Sequence, residues 1–364
     1  MARPARKALF ALVPLLGLLL CAELVARVSE WRKARREVPW DLACLETTQG
    51  VVLGAKPGGL VWELDPYLLW RNRPGQRHAR GTINAQGFRG PDWSLARRPG
   101  LRRVVVLGGS VAYGWGVEGD ERTIAARVEQ RLRASGVEAE VWNAGVIAYA
   151  STQELILLAT VVLEYAPDAV VVLDGWNDLY YASRAPADQP IRPLTFAELE
   201  QVLARGAQGG WNLLRLSALW RRLEGRGGAG PAGPLFQDHP RGVPDYRRNL
   251  EHMVRLARAA GVAALIVPQP ELSLGPRPPE PEQRAWVEGQ TGQGWLDHAH
   301  AHYPRYVEAA RAVAAAEGAA FLDGTRALDA LPGPAFTDAC HLGPEANQAL
   351  AEEIAAELAR LLAR

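Results

Sequence analysis

Charge of one sign is missing from this chain. Forty-one Lys and Arg stand against 40 Asp and Glu over 364 residues, a formal net charge of +1. Nothing marks a basic surface for nucleic acid, and no nucleic-acid partner is expected. Cysteine is scarce, at Cys21, Cys44 and Cys340, and Cys21 falls inside an apolar run. At most one disulfide, Cys44 with Cys340, is therefore open to the rest of the chain; two unpaired buried thiols are the other reading. Lysine is nearly absent, at Lys7, Lys33 and Lys56 only, a bias without functional meaning. No internal repeat is visible, so stacked-repeat architectures are excluded.

What is present has ordinary globular proportions, 48% hydrophobic and 22% charged. The length suits one large domain with additions. Arg3, Arg6 and Lys7 precede a nearly unbroken apolar run from Ala8 to Ala22, continued by Leu24-Val-Ala. This is a basic segment followed by a hydrophobic one, the form of an export signal. The run is short for a spanning helix of about 20 residues; it reaches that length through Val28 if Glu23 and Arg27 lie at an interface. Leu20 is a poor fit to signal cleavage after Ala22 and to lipidation at Cys21. The expectation is an uncleaved signal anchor within residues 1–37, giving a membrane-anchored protein whose main domain is extracytoplasmic. Cleavage and secretion is the alternative. Arg32, Lys33, Arg35 and Arg36, offset by Glu30 and Glu37, leave orientation undecided by charge.

Residues 38–100 form a Trp-rich lead-in (Trp40, Trp62, Trp70, Trp93). From Arg102 short apolar strands alternate with helices. Strands are expected at Arg102–Leu107, Glu138–Trp142, Ala169–Leu173, Ala263–Pro268 and Ala320–Leu322. Helices are expected at Thr123–Ala134, Ser151–Tyr165, Tyr246–Ala260, Tyr306–Glu317 and Pro344–Leu362. That alternation implies a mainly parallel sheet covered on both faces, over residues 101–364. It breaks between about 184 and 243, read as an insertion with a basic helix at Trp211–Leu223. That helix is expected to dock on the sheet; a surface-lying or lid role is the alternative.

Functional groups of such a sheet gather at the carboxyl ends of the strands. Ser110 follows the first strand in Gly108-Gly-Ser, Asn143-Ala-Gly145 follows the second, and Gly175-Trp-Asn-Asp178 follows the third. Far downstream lies Asp338-Ala-Cys-His341. A serine hydroxyl becomes a nucleophile when a base takes its proton and a third group fixes that base's tautomer. Ser110, His341 and Asp338 supply the three. Backbone N–H groups of Ser110 and Gly145 and the carboxamide of Asn177 are candidate donors to an oxyanion.

These four segments resemble, in order and spacing, the four blocks of the SGNH (GDSL-type) hydrolase superfamily. The anchor and the segment Asn84-Ala-Gln-Gly-Phe-Arg-Gly90 are similar to those of membrane-anchored bacterial members. The resemblance implies a flavodoxin-like three-layer α/β sandwich, Ser110 as nucleophile, His341 as base, Asp338 as its orienting acid, and Ser110, Gly145 and Asn177 as the oxyanion hole. The family's motif has Asp before the serine where this chain has Gly109, which leaves subgroup and substrate open. The expected activity is a serine esterase acting on carboxylic, short-chain O-acyl esters, with no cofactor. The alternatives are an acyltransferase of envelope glycans using the same triad, or a non-catalytic glycan-binding protein on this fold. An acylated glycan is a candidate partner.

Competing motifs are poor. A Walker loop would need Lys where Trp115 follows Gly114. Gly114-Trp-Gly-Val-Glu-Gly119 matches G-x-G-x-x-G but begins well beyond the strand, and Asn143 holds the place of a ribose-binding acid. Ala112 breaks the G-x-S-x-G elbow. Asp174 and Asp178 are rival acids; Asp178 reads as a cap or loop organiser. Trp176, Tyr180 and Tyr181 are candidates to line an acyl or sugar pocket, with core packing the plainer reading. His298, His300 and His302 beside Asp297 are read as solvated residues at a helix start, and no metal is expected.

Overall fold

The computed structural model describes residues 17–28, 44–46, 52–53, 61–192, 236–275 and 277–363. Two compact units are present, Met1–Leu42 with Leu199–Pro234, and Ala43–Glu198 with Leu235–Arg364. Of the first unit the described part is a helix over residues 17–28 (α1), in which Arg27 Nε donates to Glu23 Oε1 at 2.8 Å. Among the described residues no helix is long and apolar enough to cross a membrane. The remainder of the anchor expected over residues 1–37, and the basic helix expected at 211–223, lie outside the described residues.

The second unit opens with short strands. Cys44–Glu46 (β1), Val52–Leu53 (β2), Val61–Asp65 (β3) and Leu69–Asn72 (β4) form a sheet of order β2-β1-β3-β4, and Gln76–His78 (β5) pairs with Gly81–Ile83 (β6) as a hairpin. Trp62 of β3, Trp70 of β4 and Ile83 of β6 belong to one hydrophobic core with the rest of the unit. Trp62 and Trp70 are buried with ring centroids 5.6 Å apart. Trp70 Nε1 donates to Ile147 O at 3.2 Å, and Tyr149 Oη donates to Trp70 O at 2.5 Å.

The central sheet consists of Arg102–Gly108 (β7), Ala139–Asn143 (β8), Ala169–Asp174 (β9), Ala263–Pro268 (β10) and Ala320–Phe321 (β11), in the order β11-β10-β9-β7-β8 with every pair parallel. Val104, Val105, Val106 and Leu107 of β7 and Val170 to Leu173 of β9 are all buried. Strands apolar on both sides need cover on both faces, and helices supply it. Ile124–Ala134 (α3) packs against Pro344–Leu362 (α9), while Ser151–Thr160 (α4), Gly242–Ala259 (α6) and Trp295–Glu317 (α8) pack in a row. α3 presents Ile124, Val128 and Leu132 to the core at helical spacing, and Thr123 Oγ1 caps it by accepting from Ala126 N. Ser110–Tyr113 (α2), Trp176–Arg184 (α5) and Pro281–Thr291 (α7) complete the helices.

β8 is an edge strand, and three of its outward backbone groups are occupied by side chains and by the lead-in. Arg133 Nε donates to Ala139 O and Val141 N donates to Glu129 Oε2, both at 2.9 Å, while Asn143 bridges to Arg89.

Three boundaries differ from expectation. The second helix stops at Thr160, and a 3₁₀ turn over Val162–Tyr165 continues from it. Ala166 lies in the left-handed region at φ 47°, and Pro167 disfavours helix in the residue before it. α8 begins at Trp295 rather than Tyr306 and runs through Pro304; burial of Trp295, Leu296, Ala299 and Tyr303 along one face outweighs the backbone bond that proline removes. The three histidines are therefore helical residues. His298 Nε2 meets Ser183 Oγ at 2.8 Å, His300 Nδ1 meets Ser273 O at 2.8 Å, and His302 stacks on His298 at 4.3 Å. Burial and His302 push His298 down to about 4. Finally, α6 starts at Gly242, and the expected insertion falls largely at residues 193–235, outside the described residues. Cys340 is a free, buried thiol, so the expected option of a disulfide to Cys44 is not taken up.

Candidate active site

Order β11-β10-β9-β7-β8 reverses direction between β7 and β9, and a crevice opens at the carboxyl ends where an open α/β sheet reverses. Ser110 leaves β7 there and Asn177 leaves β9, with Gly108 and Leu173 as ladder partners just beneath. The Asp338–His341 segment joins them from 231 residues away. His341 Nε2 lies 2.7 Å from Ser110 Oγ, and His341 Nδ1 lies 2.5 Å from Asp338 Oδ2. The three residues expected from the sequence thus form one continuous hydrogen-bonded chain.

The acid is held by its own turn. Asp338 Oδ1 accepts from Cys340 N at 2.9 Å and His341 N at 2.8 Å. Burial pushes its carboxyl up, but the imidazole of His341 and these N–H bonds outweigh burial and leave it below the ordinary value. Asp338 is therefore ionised at neutral pH, as an orienting acid must be. Leu272 N donates to Ala339 O, fixing the turn from outside. Ser110 is 9% exposed and His341 2%, so both side chains of this pair are largely buried. The Trp115 ring centroid stands 6.0 Å from that of His341.

The groups expected to be oxyanion donors lie at close approaches that favour glycine. A Cβ on Gly145 would stand 2.2 Å from Tyr113 N, and one on Gly109 would stand 2.7 Å from Asn177 Nδ2 and 3.0 Å from Tyr149 O. Asn177 Nδ2 donates to Tyr149 O at 2.6 Å, which orients the carboxamide and leaves its second N–H for substrate. Gly145 N donates to Asn143 Oδ1 at 3.0 Å; an incoming oxyanion must share or replace that bond. Ser110 N opens α2 and has no intrahelical acceptor.

Behind Asn177 lies a group of buried acids. Asp178 accepts from Ser151 N at 3.1 Å and Ser151 Oγ at 2.5 Å, tying α5 to the start of α4. It organises the loop, as its place in the sequence suggests. Asp174 accepts from Tyr246 Oη at 2.8 Å. Glu154, fully buried on α4, gives no signal in the sequence, because its burial is decided by strands and helices far along the chain. Burial, then the charges of Asp174 and Asp178, push Glu154 well above the carboxylate range. Burial also raises Asp174 and Asp178. Glu271, near the catalytic turn, is raised to about 8 by burial despite accepting from Ser273.

The aromatic candidates divide. Trp176 and Tyr181 are buried: Trp176 packs on Trp295 at 5.3 Å and Tyr181 Oη donates to Ala148 O at 2.9 Å. Both are held inside the fold by these contacts, and Tyr181 also lines a cavity with Thr152, Asp178 and Asn249. Tyr180 is half-buried, with the Arg184 guanidinium 4.7 Å over its ring. Among the described residues, Asp338, Cys340 and His341 are the one group whose ligand atoms lie close enough for a metal. Two of these are committed to the triad, and burial with the Asp338 charge raises Cys340 far up, so its thiol stays protonated and is a poor ligand.

The chain aligns weakly with several solved structures. A lipase/acylhydrolase from Enterococcus faecalis aligns at TM-score 0.45 with 19% identity, covering 71% of this chain and 96% of that one. An acetylxylan esterase from Geobacillus stearothermophilus aligns at TM-score 0.41 with 12% identity, covering 71% and 94%. The acetyl xylan esterase AlAXEase aligns at 0.42 with 13% identity, covering 70% and 98%. No curated protein matches the chain. Residues 106–349, from within β7 into α9, match the model of the GDSL-like lipase/acylhydrolase family. On that match the chain belongs to the GDSL-like lipase/acylhydrolase family.

Proposed function

We propose that this protein is a serine esterase that cleaves short-chain carboxylic esters through an acyl-enzyme on Ser110. The observation that carries the reading is the unbroken chain from Asp338 through His341 to Ser110, at 2.5 and 2.7 Å. His341 Nε2 takes the proton of Ser110 Oγ as the oxygen attacks the ester carbonyl, and Asp338 stabilises the imidazolium that forms. The carbonyl oxygen becomes an oxyanion facing Ser110 N, Gly145 N and Asn177 Nδ2. Collapse expels the alcohol, protonated by His341. Water, deprotonated by the same imidazole, then releases the acid and restores the serine. Every step is a proton or acyl transfer that the chain's own groups can perform.

The burial of Ser110 and His341 favours a small acyl group, and an O-acylated glycan is the substrate we put forward. The basic and apolar N-terminal sequence supports a membrane anchor with the catalytic unit outside the cytoplasm. The test is reaction of the full chain, wild type and Ser110→Ala, with a fluorophosphonate probe, then with p-nitrophenyl esters of increasing chain length. Labelling and turnover by wild type alone, falling with chain length, is expected. A folded wild type that neither labels nor turns over any ester would overturn the reading.

A further inference from the structure

The segment Asn84–Gly90 takes no part in the chemistry above, yet its arginine is anchored at the site. The Arg89 side chain is 1% exposed. A guanidinium carries five N–H donors, and here all five are bonded. Nε donates to Asp120 Oδ1 at 3.0 Å; Nη1 donates to Gly114 O at 2.7 Å and Tyr113 O at 3.2 Å; Nη2 donates to Arg80 O at 2.7 Å and Val117 O at 3.0 Å. Tyr113 and Gly114 end α2, the four-residue helix that begins with Ser110. A single turn is not stable by itself, and its last carbonyls have no partners within it. Arg89 supplies those partners.

The same residue reaches the oxyanion side. Arg89 N donates to Asn143 O at 3.0 Å. Asn143 in turn donates from Nδ2 to Tyr113 O at 3.2 Å and accepts Gly145 N at 3.0 Å. The nucleophile's helix and the Gly145 turn therefore meet on one lead-in residue. An ion pair serving stability alone would need only the Asp120 contact; four of the five bonds go instead to carbonyls.

Building on the esterase reading, we propose that Arg89 is a positioning residue of the reaction, and that the lead-in is part of the catalytic unit. It holds Ser110 Oγ and the Gly145 donor in fixed relation, so its loss lowers turnover more than substrate binding. Lysine cannot replace it, since one ammonium cannot fork to carbonyls on both sides.

The test compares full-length wild type, Arg89→Ala, Arg89→Lys and Arg97→Ala on p-nitrophenyl acetate, with fluorophosphonate labelling rates. Arg97 is a lead-in arginine paired to Asp168 on the surface, and its variant should behave as wild type. Arg89→Ala should lose about 10- to 100-fold in kcat, the scale of a misplacement near 1 Å, with KM within about twofold. Arg89→Lys should recover little. Millimolar methylguanidinium should restore part of the lost rate in Arg89→Ala alone, because the cleft lined by Thr82, Asn84, Arg89 and Asp120, about 700 Å³, gives it access. A folded Arg89→Ala with unchanged kcat, or one whose loss lies in KM, overturns the proposal. If Arg89→Ala does not fold, Arg89→Lys and Asp120→Asn decide it: a drop in kcat at constant KM supports the proposal, and wild-type kcat in both overturns it. A wild type silent in both assays brings down the esterase reading itself, and is distinguished by that silence.

Discussion

Replacing Asp338 by asparagine separates orientation of the base from its tautomer. The two carboxylate oxygens have different partners. Oδ1 accepts two backbone N–H groups, from Cys340 and His341, and Oδ2 accepts the ring N–H of His341. A carboxamide in that place must keep its oxygen on the two backbone donors, since turning its NH₂ toward them would set donors against donors in a mostly buried turn. Its NH₂ then faces His341 Nδ1, which must accept. The ring proton moves to Nε2, the atom 2.7 Å from Ser110 Oγ, and the base can no longer take the hydroxyl proton. The shape of the site is retained and its chemistry is reversed. For the same exchange in a serine triad the loss is about 10⁴-fold, or ~5.5 kcal/mol of barrier. Asp338→Ala, which leaves the ring free to choose its tautomer, should lose less than Asp338→Asn. The assay is kcat/KM on p-nitrophenyl acetate, with thermal melting to show that both variants fold. Asp338→Asn retaining more than about a tenth of wild-type activity, or proving more active than Asp338→Ala, would refute the assignment of Oδ1 and Oδ2.

The geometry sets three further outcomes. Asn177→Ala should cost ~3 kcal/mol in kcat/KM, the value of one oxyanion donor; a change below threefold would remove Asn177 from the hole. Gly109→Ala should lower kcat by displacing the Asn177 carboxamide, which a Cβ would approach to 2.7 Å; an active variant with normal kinetics would show that the carboxamide moves freely. Folding raises the pKa of Asp178 to about 6 and of Asp174 to about 7. Acids held protonated by the fold favour it fully below their unfolded value of about 4 and lose that advantage as pH rises through the folded values. Melting temperature should therefore fall between about pH 4 and about pH 7, and Glu154→Gln, by removing one acid from the group, should flatten the fall. A wild-type melting curve that rises over that interval would contradict the buried cluster.

The parts of the site legible in the sequence are those whose geometry is local. Asp338 and His341 are three residues apart because one turn lets the carboxylate accept the next N–H groups and the ring together. The β-branched strand that ends at Ser110 marks its place, and wholly apolar strands mark the parallel sheet. Groups whose role depends on distant chain stay hidden. Trp176 and Tyr181 flank Asn177 as pocket residues would, but Trp295, far along the chain, closes over the first of them. Glu154 lies on a helix whose sequence shows no sign that it is buried. Arg89 sits in a lead-in without periodicity, and its five acceptors span residues 80 to 120. Pro304 suggests a helix start where tertiary packing carries the helix straight through.

The side-chain cover along β8 bears on how this protein behaves at high concentration. A bare outer strand is a template on which a second molecule can add its own strand, the first step toward insoluble fibrous material. Here the free groups at Ala139, Val141 and Asn143 are taken by Arg133, Glu129 and Arg89. Two come from one helix and one from the lead-in, so trimming the chain to its family-matched portion, which begins at residue 106, would bare the Asn143 end and cut into β7. Of the three, Arg89 alone lies upstream of the serine, so the residue proposed to position Ser110 also covers one end of this edge.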